Sequence, residues 1–102
     1  MRLLVFFDLP VVTEKDKKNY QKFRNFLLDN SFIMIQYSVY VRICRNQDDL
    51  EKHINRIKSN LPPEGNIRLL QVTEKQYEKM EVLRGQKSTD EQFSIDNMLI
   101  FD

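Results

Sequence analysis

Residues 31–44, SFIMIQYSVYVRIC, alternate with a period of two. Ile33, Ile35, Tyr37, Val39, Val41 and Ile43 share one face, and Phe32, Met34, Gln36, Ser38, Tyr40 and Arg42 share the other. A period of two is that of a strand, and this run exceeds the usual ~5–6 residues. A bend or bulge inside it, or folding as one arm of a ribbon, is therefore expected. The first face reads as core. The second is half apolar and half polar, which suits contact with a partner or ligand better than contact with water alone.

The neighbouring segments supply the other elements. Residues 2–8, RLLVFFD, form a short apolar run closed by Pro10, the signature of a central strand buried on both faces. Thr13 with Asp16 resembles a capping box, and Tyr20, Phe23, Phe26 and Leu27 follow at helical spacing, with Asn30 placed to end the helix in a left-handed conformation. Asn46, Asp48 and Asp49 open a second helix with Leu50, Ile54, Ile57 and Leu61 on its apolar side, stopped by Pro62 and Pro63. GNIRLLQV is a further strand, and Thr73 with Gln76 caps a short helix reaching about Glu81. After a polar tether at 85–92, the segment 93–102 alternates again through Phe93, Ile95, Leu99 and Phe101.

This order predicts an α+β fold: a ferredoxin-like β-α-β-β-α-β domain over residues 1–84, with a C-terminal extra strand at 93–102. Both helices would cover one face of an antiparallel sheet. The other face would be bare, so Phe32, Met34 and Tyr40 are expected to pack sheet to sheet in a homodimer.

Composition narrows the functional classes. At 102 residues the chain has room for one core. The single cysteine, Cys44, rules out an internal disulfide and fits a cytoplasmic protein. The longest uninterrupted apolar run, Leu3 to Phe7, is far short of the ~20 residues of a membrane span. A formal net charge of +1 removes the argument from a strongly basic domain, so nucleic-acid binding would need local clusters. Such clusters exist. Lys15, Lys17 and Lys18 gather in the first turn of the first helix, Arg42 and Arg45 end the long alternating run, and Arg84 and Lys87 flank Gly85. Doubled by a dimer axis, they would meet backbone phosphates without reading sequence.

Asp8 at the end of VFFDLP, the run IQYSVYV, and PPEGNIRLLQVTEKQY together resemble the small CRISPR-associated adaptation proteins (the Cas two family), partners of the CRISPR integrase. The resemblance covers about residues 1–84, and the tail resembles that of members found beside the single-protein CRISPR effector. It implies a ferredoxin-like homodimer lying between integrase dimers, binding the duplex DNA to be integrated and helping set its length. It also implies a metal-dependent endonuclease acting on RNA or double-stranded DNA, with Asp8 as the catalytic and Mg²⁺-binding residue. Many members carry a glycine between the first helix and the second strand, where this chain has DNSF. The phenylalanine, isoleucine, leucine and phenylalanine of the tail would then pair with the partner protomer's sheet edge or with the integrase.

Read from the residues alone, Asp8 also fits a turn-capping acid before Pro10. One carboxylate is a poor site for Mg²⁺, whereas two, brought together by a dimer axis, are a better one. His53, beside Ile54 in a helix, reads as a surface packing residue rather than a general base, and Tyr37 reads as core. Cys44 has no metal-ligand spacing with His53. The fold alone leaves open a non-catalytic RNA-binding or ligand-regulatory module.

Overall fold

Seven elements follow one another along the chain: β1 (Arg2–Asp8), α1 (Glu14–Asp29), β2 (Ile33–Gln36), β3 (Val39–Ile43), α2 (Gln47–Lys58), β4 (Asn66–Val72) and α3 (Glu74–Glu78). The computed structural model describes residues 1–85, so Lys87, Phe93, Ile95, Leu99 and Phe101 lie outside the described residues. The strands form one antiparallel sheet in the order β2-β3-β1-β4. This is the expected ferredoxin-like arrangement.

The helices form where their local signals lie. Both capping boxes are made: the Thr13 hydroxyl accepts from the Asp16 N–H at 3.0 Å and the Asp16 carboxylate accepts from the Thr13 N–H at 3.1 Å. Thr73 and Gln76 repeat the exchange. α1 ends in a Schellman turn, with the Phe32 N–H donating to Leu27 O at 3.0 Å and the Ser31 N–H to Leu28 O at 3.1 Å. The left-handed residue there is Ser31, at φ +65°, and not Asn30, at φ −98°. Asn30 instead turns its side chain back to donate to Phe26 O.

The alternating run folds as a hairpin. Tyr37 and Ser38 form the turn, and the register shifts between Met34 and Gln36. Alternation survives on both arms, but the two faces are exchanged relative to expectation. Phe32 and Tyr40 are buried under the helices with Leu3, Val5, Phe7, Phe23 and Leu50. Met34 is cross-strand partner of Tyr40 and so shares that face, exposed because β2 is the outer strand. None of the three lies on the open face.

The open face carries Leu4 and Val41, with Ile33, Ile35 and Val72 packed around them. The reason is that period two tells which side chains point together, while the helices' own apolar stripes decide which set they cover. Burial of each large apolar side chain contributes about 1.5–3 kcal/mol, so the choice is strongly made.

α3 crosses back over the open face. Its Tyr77 is buried against Leu4 and Val41, and the Arg2 guanidinium lies 4.0 Å from the centre of the Tyr77 ring. The Arg2 Nε donates to the Glu74 carboxylate at 2.7 Å. On the helix side, α2 buries Leu50, His53 and Ile57. His53 thus takes an inward position rather than a surface one, and Leu61, beyond the helix end, is exposed.

Candidate functional site at the end of the first strand

β1 is held on both sides, by β3 and by β4, and Asp8 is its last residue, opposite Asn66. Leu3, Val5, Phe7 and Leu9 anchor this strand in the core. Asp8 itself is exposed. Among the described residues no hydrogen bond or ion pair occupies its carboxylate, so the turn before Pro10 does not use it as a cap.

Two backbone features lock this end of the strand. Gly65 has φ +101°, and a Cβ there would stand 2.6 Å from the Asp8 carbonyl oxygen and 2.6 Å from Leu9 Cδ2. Only glycine allows the chain entering β4 to approach so closely. On the other side, the Phe7 N–H donates to Ser38 O at 3.1 Å, tying the hairpin turn to the residue before Asp8. Ser38 holds φ +63° to do so. Gly65 follows two prolines and is one of only two glycines, which marks it in the sequence. No turn-forming glycine or proline marks Ser38.

The basic residues separate into two groups. Lys15, Lys17 and Lys18 are exposed in the first turn of α1, which begins six residues after Asp8, although Lys17 pairs with Glu14 at 3.4 Å. Arg42 and Arg45 lie at the other end of the sheet, since Ile43 pairs with Arg2 at the start of β1. Seven strand residues at ~3.3 Å each put them roughly 20 Å from Asp8.

Arg42 is moreover engaged within the fold. Its Nη1 donates to Asn30 O at 2.7 Å, its Nη2 lies 3.9 Å from Asp49, and its Nε is buried. It ties the end of α1 to the start of α2 and is a structural cation, not a free phosphate ligand. Arg45 and Arg84 are exposed.

The same network sets the protonation of its acid and its histidine. At Asp49, burial works against ionisation. The Arg45 N–H and the charges of Arg42, His53 and Lys52 outweigh it and hold the carboxyl below its ordinary value. At His53, burial is the strongest influence and keeps the imidazole below its ordinary value, even though Nδ1 donates to Asp49 O at 2.8 Å.

Tyr37, expected in the core, is instead 71% exposed at the hairpin turn. Its ring stacks on Tyr20 with centroids 6.1 Å apart and planes inclined at 19°. The hydrogen bond with Tyr20 and the proximity of that second phenol push the Tyr37 hydroxyl up from its ordinary value. Sequence periodicity missed this residue because it assumed the strand to run through the turn.

On the open face, Phe6, Val39, Leu70, Met80 and Leu83 line a groove of about 700 Å³ between the sheet and the segment after α3. Among the described residues, no helix is long and apolar enough to cross a membrane.

The family model described as CRISPR associated protein Cas2 matches residues 1–80. Among known proteins, the chain is similar to the CRISPR-associated endoribonuclease Cas2 of Acidovorax ebreus, with 53% identity over 85 residues, 83% of each chain. It is also similar to the proteins of that name from Lacticaseibacillus rhamnosus and Ligilactobacillus salivarius. These are 44% and 47% identical over 100 residues, 98% of this chain and 99% of each relative.

Proposed function

Because the chain belongs to the CRISPR-associated Cas2 family, we propose that it is a nuclease centred on Asp8 that works as a homodimer in CRISPR spacer acquisition. The observation that carries this reading is the Asp8 carboxylate, exposed and unpartnered among the described residues at the tip of a strand fixed on both sides. An acid left free on so rigid a mount is available for a ligand. RNA is the substrate that the relatives' name gives them, and phosphodiester hydrolysis is the chemistry assigned here.

One chain does not build a metal site: among the described residues no three His, Cys, Asp or Glu side chains come together. A second copy supplies the deficit. With the β1 strands near a twofold axis, two Asp8 carboxylates, waters and a phosphate oxygen form the hard-oxygen set that Mg²⁺ takes. Bound there, the ion would polarise the phosphoryl oxygen and lower the pKa of a bound water. Asp8 holds that charge in place, while Gly65 and the hairpin turn keep the carboxylate where it is needed.

The groove on the open face supports the dimer. Phe6, Leu70 and Met80 stand 37%, 51% and 42% exposed around it, an apolar patch that a second sheet would cover. In this reading the dimer bridges integrase dimers and binds the incoming duplex through exposed cations such as Lys15, Lys18, Arg45 and Arg84. The segment 93–102 pairs with an exposed sheet edge of the partner copy or of the integrase; β4 is such an edge.

The test is a paired assay of wild type and Asp8→Ala: RNA and duplex DNA cleavage with Mg²⁺, and integration of a short duplex with the integrase present. Loss of cleavage with integration retained supports both halves of the reading. Undiminished cleavage by Asp8→Ala removes the nuclease assignment. A monomer at micromolar concentration by sedimentation, with the full chain, removes the dimer.

A further inference from the structure

A large aromatic ring with most of its surface in water, yet held in one place, is unusual on a soluble protein. Tyr37 is such a ring. One face rests on Tyr20, Tyr20 packs against Phe7 with centroids 5.8 Å apart, and Phe7 stacks in turn on Tyr40 at 5.6 Å. The chain of rings runs from the buried sheet to the surface. Because the ring is already immobilised, binding another flat group would cost it little conformational entropy.

The turn that presents it is strained and tied to the strand that ends in Asp8. Ser38 takes a left-handed conformation with a side chain present, which persists only where the surroundings impose it. What imposes it includes the hydrogen bond from the Phe7 N–H to Ser38 O. The turn therefore lies one strand spacing from the Phe7–Asp8 backbone, about 5 Å. An aromatic platform and a free carboxylate sit side by side.

We propose that Tyr37 is a stacking platform for an unpaired nucleobase, so that the strand taken up beside Asp8 is single-stranded. Bases inside a duplex are already stacked and paired, and their faces are closed to such a ring. In a single strand each base can swing out and lie on it. The platform tolerates any base, because every base has a π face. The inference rests on the reading of Asp8 only for what happens to the strand once bound.

The experiment therefore reads binding without cleavage. The full chain, in EDTA, is titrated into single-stranded RNA and DNA oligonucleotides carrying 2-aminopurine, and into a duplex of the same sequence. The proteins are wild type, Tyr37→Phe, Tyr37→Leu and Tyr37→Ala. Stacking predicts 2-aminopurine quenching by wild type and Tyr37→Phe. It predicts single-strand affinity lower by about 5- to 100-fold in Tyr37→Ala, with duplex affinity unchanged.

Tyr37→Leu keeps apolar bulk without the π face and is expected to behave like Tyr37→Ala, which separates stacking from any loss of fold. Equal single-strand affinity in wild type and Tyr37→Leu, or an equal loss on the duplex, overturns the proposal. Failure of the Asp8 reading leaves a different trace: intact quenching with cleavage that Asp8→Ala does not abolish.

Discussion

Replacing Gly65 by alanine tests how the Asp8 end of β1 is held. Two costs are built into that position. The φ of +101° lies where a Cβ is disfavoured, at roughly 1–2 kcal/mol for an L residue. The new methyl would also stand 2.6 Å from the Asp8 carbonyl oxygen and 3.1 Å from Leu9 Cα, both backbone atoms that cannot rotate away. Relieving such an overlap typically costs another ~1–3 kcal/mol.

The expected loss is thus about 2–5 kcal/mol, a large part of the ~5–15 kcal/mol that stabilises a domain. Gly85 provides the internal control, because it has the same φ of +101° and nothing within 4 Å of its added Cβ. Gly85→Ala keeps the backbone component and lacks the overlap. Urea denaturation of both variants, at one protomer concentration so that any assembly is held constant, gives the difference directly. A Gly65→Ala protein no less stable than Gly85→Ala would refute the idea that the close approach constrains Asp8. If the approach is relieved by moving Asp8, cleavage falls in Gly65→Ala beyond what the loss of folded protein explains.

Ser31→Gly should raise stability by about 1 kcal/mol, since glycine removes the left-handed strain at φ +65° while the Schellman hydrogen bonds remain; an unchanged melting temperature would contradict this. Arg42→Ala should cost about 1–3 kcal/mol by leaving Asn30 O and Asp49 without their cation, yet leave the salt dependence of duplex binding unaltered. Lys15→Ala with Lys18→Ala should do the reverse, lowering the slope of log K against log salt by about 0.9 for each phosphate no longer neutralised. For His53, burial depresses the folded-state pKa, so between that value and the unfolded one, about 6.5, the unfolded chain binds more protons. Its contribution is therefore present above pH 6.5 and is lost as pH falls toward the folded value, and denaturation midpoints equal at pH 7.5 and 5.5 would refute the assignment. The Asp49 contribution, from a depressed carboxylate, is lost only at lower pH, below its ordinary value of 3.8.

Local rules made much of this protein legible. The capping residues Thr13, Asn46 and Thr73 act within three residues of themselves, so their helices begin where their side chains say. Alternation through residues 32–43 named correctly which side chains share a face. Asp8, too, could be singled out from its place at the end of an apolar run.

Tertiary structure decided what those rules cannot contain. Alternation has no sign: it divides Tyr40 from Val41 but does not say which of them meets α1 and α2. The turn at Tyr37 and Ser38 carries no glycine or proline, because its left-handed residue is imposed by a hydrogen bond from β1, thirty-one residues away. Arg42 looked like a free cation beside Arg45 until the end of α1 and the start of α2 closed around it. In each case the deciding interaction is distant in sequence, and its free energy exceeds the local preference it overrides.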